Sequence, residues 1–338
     1  MSRQFKVAVV GATGAVGEVM LSILAERDFP ASEVIALASE RSAGTAVAFG
    51  NGELVVQDLA TFDPTGVDIA LFSAGGATSK EYGPKFAAAG AVVIDNSSTF
   101  RYDDDVPLVV SEVNPDAIRN RPRGIIANPN CSTMQLMVAL KPIFDAAGIE
   151  RINVATYQSV SGAGRSGLEE LGVQTGKLLN FQEIEPKKFQ AQIAFNLIPH
   201  IDDFLDIGYT KEEMKLVWET RKILGDEAIQ VNPTAVRVPV FYGHSEAVNV
   251  ETREKLSAEA ARALLERAPG VVVVDERRAG GYPTPVTHAS GNDAVYVGRI
   301  REDLSHPRAL NLWVVSDNIR KGAALNAVQI AELVAAEG

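Results

Sequence analysis

Cysteine is nearly absent from this chain: among 338 residues there is one, Cys131. A single thiol excludes an internal disulfide and fits a reducing compartment. Histidine is also scarce. The four (His200, His244, His288 and His306) lie far apart, without the ligand spacing of a metal cluster. Basic charge is short, since 32 Lys and Arg face 43 Asp and Glu for a net charge of −11. That balance opposes non-specific nucleic-acid binding, and no basic run offsets it. Long hydrophobic runs are missing, so no stretch approaches the roughly 18 apolar residues of a membrane span. The N-terminus passes at once into a short apolar strand, and no signal peptide is expected. The chain reads as cytoplasmic, with no metal, nucleic-acid or membrane partner. At 46% apolar and 22% charged residues, its length suits two globular domains.

The apolar pattern supplies the architecture. Phe5–Val10, Val34–Ala38, Leu54–Val56, Asp68–Phe72 and Ala91–Asp95 read as continuous apolar strands. Helical periodicity falls between them at Ala15–Arg27 and Lys80–Ala89. Unbroken apolar strands alternating with helices indicate a parallel sheet covered on both faces, an α/β doubly wound, Rossmann-like domain. Beyond Cys131 the pattern changes. Arg151–Val160, Ala235–Phe241, Glu246–Val250, Val271–Val274, Ala294–Ile300 and Leu310–Ser316 read as longer strands. Several alternate apolar and polar residues, as in a mixed α+β domain with one sheet face covered. Thr210–Leu224 is predicted to be a helix opened by a capping box of Thr210 and Glu213. Pro142 is expected to kink or end the helix that starts at Cys131. An amphipathic helix is expected over Ile319–Ala336. The division expected is 1–130 plus 319–338 for a nucleotide domain, and 131–318 for a catalytic and dimerisation domain.

Two local motifs carry chemistry. After the first strand comes Gly11-Ala12-Thr13-Gly14-Ala15-Val16-Gly17, opening a helix. The spacing is GxxGxxG rather than the commoner GxGxxG. Gly11 allows the tight turn, Gly14 admits a pyrophosphate to the backbone, and Gly17 permits close helix–strand packing. Gly11, Thr13, Gly14, Ala15 and Val16 are therefore candidate cofactor contacts. The second strand ends in Ser39-Glu40-Arg41-Ser42, where Arg41 and Ser42 suit the 2′-phosphate of NADP, while Glu40 leaves NAD open.

The second motif is Asn128-Pro129-Asn130-Cys131-Ser132-Thr133, which reads as a helix start. A thiol in the first turn faces unpaired N–H groups and the positive dipole end. Its pKa is expected to fall below the free value of roughly 8.5. The bland alternative is a small buried hydrophobe.

With these runs the chain resembles the aspartate-semialdehyde dehydrogenases of bacterial type along nearly its whole length. Further matching segments are Asp95-Asn96-Ser97-Ser98 with Arg101, Gln158-Ser159-Val160-Ser161-Gly162-Ala163-Gly164, Glu219-Thr220-Arg221-Lys222, and Arg237-Val238-Pro239-Val240-Phe241-Tyr242-Gly243-His244. The resemblance implies NADPH-dependent reduction of L-4-aspartyl phosphate to L-aspartate 4-semialdehyde and phosphate, feeding lysine, methionine, threonine and isoleucine synthesis. It implies a Cys131 thioester, His244 as acid/base partner and Gln158 for positioning. Substrate carboxylate falls to Arg237, amino group to Glu219, and phosphate to Arg101 and Lys222, with Asn130 beside the nucleophile. Ser161, Gly162 and Asn318 join the cofactor set, and a homodimer is expected.

The chemistry asks for these residue types on its own terms. A thiolate both attacks and leaves well near neutral pH, and histidine titrates in the range such proton transfers need. A substrate bearing phosphate and carboxylate requires cations gathered locally in an acidic protein, and the fork of Arg237 suits a carboxylate. Singly, Glu219 and Lys222 could be a solvated helix pair, Arg101 a loop salt bridge and His244 a turn residue. The rivals are an N-acetyl-glutamyl phosphate reductase-like enzyme, a non-catalytic NADP-binding sensor and a thiol hydrolase. A phosphorylating glyceraldehyde-3-phosphate dehydrogenase is more distant.

Overall fold

The computed structural model describes residues 3–337. The chain divides into two compact units, Met1–Pro129 with Ala323–Gly338, and Asn130–Gly322.

The first unit runs β1 (Phe5–Val10), α1 (Ala15–Glu26), β2 (Ala31–Ala38), β3 (Ala46–Phe49), β4 (Gly52–Val55), β5 (Gln57–Asp58), β6 (Ile69–Phe72), α2 (Gly76–Ala88), β7 (Val92–Asp95) and β8 (Ile125–Ala127). Six strands form one sheet in the order β5-β2-β1-β6-β7-β8, all parallel. Val7 to Val10 and Ile69 to Phe72 are buried throughout, which explains their unbroken apolar sequence. The order reverses at β1, with β2 on one side and β6 on the other. The carboxyl ends of strands at such a switch point open the crevice in which α/β sheets hold ligands. The strand expected at Leu54–Val56 is instead half of the separate β3–β4 hairpin.

The second unit comprises α3 (Cys131–Ala147), β9 (Ile149–Gln158), α4 (Arg165–Leu179), α5 (Lys211–Leu224), β10 (Gln230–Arg237), β11 (His244–Thr252), α6 (Ala258–Leu265), β12 (Val271–Val273), β13 (Val295–Glu302) and β14 (Ala309–Ser316). Its mixed sheet has the order β10-β9-β11-β14-β13-β12. Along β9 and β11 alternate side chains are buried and half-exposed, so one face is covered and carries α3. The expected kink at Pro142 does not end α3, which continues to Ala147 with Ile143 and Ala147 buried beyond the proline. Packing of that last turn outweighs one forfeited backbone hydrogen bond. The strand expected at Ala235–Phe241 lies earlier, at Gln230–Arg237. Pro233 sits inside it and is tolerated because β10 is an edge strand.

The chain then returns to the first unit. The single helix expected from Ile319 is a π-turn over Arg320–Ala324 followed by α7 (Leu325–Ala336). Nor is α7 simply amphipathic. Leu325, Ala327, Val328, Ile330 and Ala331 pack into one core with β1 and α1. Its buried Asn326 donates to the carbonyl of Val109 and to Asn128 Oδ1 (2.9 and 2.6 Å). Among the described residues no helix is long and apolar enough to cross a membrane, and no cluster of three metal-ligating side chains occurs.

Candidate active site

In the first unit the glycine loop is shaped by close backbone approach. Gly11 has φ +89°, and a Cβ there would lie 2.6 Å from the Ser73 carbonyl oxygen. A Cβ on Gly17 would lie 2.1 Å from the oxygen of Gly11. Gly14 is the N-cap of α1, and no side chain caps that helix. Thr13, Ala15 and Val16 surround it half-buried. Uncapped N–H groups at the positive end of a helix, at a sheet switch point, fit the pyrophosphate of a dinucleotide. Arg41 and Ser42 form a short 3₁₀ turn at the end of β2, with Arg41 exposed. Arg101 follows β7 in this same unit, buried, its guanidinium bonded to the Asn96 carbonyl at 3.0 Å.

The second unit gathers the remaining candidates around the start of α3. Cys131 is the first helical residue, and it is half-exposed while the nine residues after it are buried. Asn130 is the N-cap, its Oδ1 accepting from the N–H groups of Ser132 and Thr133 (3.0 and 3.4 Å). The backbone of Gly322 abuts the cysteine so closely that a Cβ would lie 2.8 Å from Cys131 Cβ.

Three strand ends converge here. Gln158 closes β9, Arg237 closes β10 beside it in parallel register, and His244 opens β11. Arg237 donates from Nη1 to the Ser159 carbonyl at 2.7 Å. Burial lowers its pKa, while the nearby charges of Glu212 and Cys131 raise it. His244 is fully buried. Its Nδ1 accepts from the Ser159 N–H (3.1 Å) and contacts Ser159 Oγ (3.0 Å). Nε2 has no hydrogen-bond partner among the described residues. Burial first, then the positive charge of Arg237, push His244 down to about 3, against opposing contributions from Glu212 and the Gly243 backbone. The imidazole is therefore neutral at neutral pH.

A polar network sits behind the histidine. Asn318 Oδ1 accepts from the Gly243 N–H and from the hydroxyls of Ser159 and Ser161 (3.0, 3.0 and 3.1 Å). Ser161, a candidate cofactor contact, thus bonds Asn318 through its hydroxyl. Gly162 lies against both Arg237 and His244, since a Cβ there would come within 3.0 Å of Arg237 Nη1 and 3.4 Å of His244 Nε2.

Helix α5 delivers the acidic residues. Its predicted capping box is present, Thr210 Oγ1 accepting the Glu213 N–H (3.2 Å) and Glu213 Oε2 accepting the Thr210 N–H (2.8 Å). Glu219 is fully buried and accepts the Asn130 backbone N–H at 2.6 Å. Lys222 follows one turn later, half-buried. Sequence reasoning missed Glu212, whose Oε1 accepts from Asn130 Nδ2 and from Gln158 Nε2, both at 3.0 Å. Its Oε2 pairs with Lys215 at 2.8 Å. Burial pushes this carboxylate up, but Lys215 and the two amides outweigh it and hold the group at about 2. A charged residue in the first turn of a helix is ordinary, so only tertiary structure reveals this one.

A half-exposed thiol at a capped helix N-terminus, beside a buried arginine and a neutral histidine, suits nucleophilic catalysis. Comparison with known proteins shows the family. Residues 6–121 match the family described as Semialdehyde dehydrogenase, NAD binding domain, and residues 140–321 match Semialdehyde dehydrogenase, dimerisation domain. An aspartate-semialdehyde dehydrogenase of Legionella pneumophila is 62% identical over all of this chain and 97% of its own length. The crystal structure of aspartate semialdehyde dehydrogenase II from Vibrio cholerae, complexed with ASA, has TM-score 0.97 at 59% identity over 99% of both chains. An aspartate semialdehyde dehydrogenase with NADP from Candida albicans has TM-score 0.75 at 26% identity, over 98% of both chains. The chain belongs to the aspartate-semialdehyde dehydrogenase family of oxidoreductases.

Proposed function

We propose that this chain reduces L-4-aspartyl phosphate to L-aspartate 4-semialdehyde, with release of phosphate, through a thioester on Cys131. The carrying observation is Cys131 at the first position of α3, capped by Asn130, with the Arg237 charge nearby. Both features favour thiolate. The thiolate attacks the acyl carbon, the C–O bond to phosphate breaks, and a thioester results. NADPH, when bound, supplies the hydride that reduces the thioester carbonyl. The resulting thiohemiacetal oxyanion collapses, expelling the Cys131 thiolate and leaving the aldehyde. His244 is the acid/base partner, and Nε2 is the nitrogen it has available, since Nδ1 is taken by Ser159. A neutral donor in a dry site stabilises developing negative charge on oxygen.

Arg237 suits the substrate carboxylate by its fork geometry. The resemblance assigns the amino group to Glu219, phosphate to Arg101 and Lys222, and cofactor contacts to Ser161, Gly162 and Asn318. NADP rather than NAD is favoured by Arg41 and Ser42 at the end of β2. The bound NADP of the Candida albicans relative supports the same choice. A homodimer fits the match to the dimerisation-domain family, and the single cysteine fits the cytoplasm. The sheet's half-exposed face, where Tyr157 and Trp313 lie 5.7 Å apart, offers apolar surface for it.

The test is phosphate-dependent NADPH formation from aspartate semialdehyde, before and after alkylation of Cys131. Turnover abolished by alkylation supports the proposal. Activity on the N-acetylated glutamate analogue alone, or turnover surviving in Cys131→Ala, overturns it.

A further inference from the structure

Helix α5 turns two carboxylates, Glu212 and Glu219, toward one residue. They are seven positions apart, two turns along one buried face. Glu219 takes the backbone N–H of Asn130 (2.6 Å) and Glu212 takes its side-chain Nδ2 (3.0 Å). A carboxylate can only accept, so Glu212 fixes which end of the Asn130 amide faces it. Oδ1 is thereby left facing the N–H groups of Ser132 and Thr133, where it caps the helix that begins with Cys131.

The same oxygen of Glu212 does this a second time. Gln158 Nε2 donates to Glu212 Oε1 (3.0 Å) and to Thr156 Oγ1 (3.3 Å), so both of its N–H groups are occupied. Gln158 can therefore offer a substrate only its carbonyl oxygen, an acceptor. Lys215, bonded to Glu212 at 2.8 Å and to Asp202 at 2.9 Å, keeps the carboxylate charged inside the protein.

We infer that Glu212 is a positioning residue for the reaction proposed above. It orients the amides of Asn130 and Gln158, so that the cap under Cys131 and the acceptor oxygen of Gln158 keep a fixed geometry. It rests on the functional reading for its assay. Glutamine at this position must present N–H either to the amides of Asn130 and Gln158 or to the Lys215 ammonium, and at both places a donor then faces a donor.

The experiment compares the wild-type chain, Glu212→Gln, Gln158→Ala and the double variant in phosphate-dependent NADPH formation from aspartate semialdehyde. Assays run below the thermal midpoint of each variant. Glu212→Gln is expected to lower kcat about tenfold with KM changed less than about twofold, because misorientation acts on the reacting geometry. The double variant is expected to be slower than Gln158→Ala alone but by less than the product of the two single losses, since the Gln158 contact is already gone while the Asn130 contact remains. A merely structural role would multiply the two losses. Wild-type kcat in Glu212→Gln, or losses that multiply, overturns the inference while leaving the functional reading intact. No turnover by the wild-type chain overturns both.

Discussion

The backbone N–H of Ser159 points at Nδ1 of His244, 3.1 Å away. A backbone N–H only donates, so the ring accepts at Nδ1 and the neutral imidazole carries its proton on Nε2. Protonating the ring would set one N–H against another. In ¹⁵N spectra of histidine-labelled protein, His244 is expected to show the neutral Nε2–H form from pH 8 down to pH 5. A titration centred near 6.5 would contradict this.

Stability should follow the same residue. The folded His244 value, about 3, lies below the ordinary 6.5, so the unfolded chain binds this proton first. The contribution is complete above pH 6.5 and is lost as pH falls from 6.5 toward 3. Urea denaturation of wild type should weaken across that window, and His244→Gln should show a shallower decline. Equal slopes would count against the assignment.

Glu246 works in the opposite sense. It is fully buried two residues along β11 from His244, and burial raises its pKa well above the usual carboxylate range, offset only in part by Gln135. A raised carboxyl is most favourable to the fold below its unfolded value of 4.5. It turns costly as pH rises toward the folded value. Glu246→Gln should stabilise the protein by about 1 kcal/mol or more, with a larger gain at pH 8 than at pH 5. Denaturation midpoints at the two pH values check the sign.

Gly162 is the spacer between Arg237 and His244. The methyl group of Gly162→Ala would meet Arg237 Nη1 at 3.0 Å and His244 Nε2 at 3.4 Å. With Arg237 tied to the Ser159 carbonyl, the guanidinium must shift. Steady-state kinetics are expected to show kcat/KM reduced about tenfold, with a stability change of only about 1 kcal/mol.

Arg41 should set the cofactor preference. Replacing its exposed guanidinium by alanine removes a 2′-phosphate partner and little else. NADP affinity by fluorescence titration should fall about tenfold in Arg41→Ala, with NAD affinity unchanged. Equal weakening toward both nucleotides would place the discriminating contact elsewhere.

Some parts of this molecule could be read directly from residues. Strands such as Val7–Val10 are buried on both faces, so their apolar run is local information. Caps are local too, which is why Asn130 and the Thr210–Glu213 box were legible. Helix α4 was not, because Gly167, Gly172 and Gly176 within it dilute the apolar period. The start of β10 was hidden by Pro233, whose acceptability depends on strand order rather than on neighbours in sequence. Glu212 and Ser159 act across distances of 82 and 85 residues, on Asn130 and His244 respectively. Helical or strand periodicity carries no trace of such pairings.

The burial of α7 in the core around β1 has a consequence for biosynthesis. The nucleotide-binding sheet begins to emerge from the ribosome first, yet its hydrophobic interior stays open until Leu325–Ala336 has been translated. The inserted unit, whose strands and helices all lie between Asn130 and Gly322, has every piece it needs earlier. Folding during synthesis therefore runs against chain order, with the later-starting half closing first and the earlier half waiting, apolar surface exposed, for its last helix.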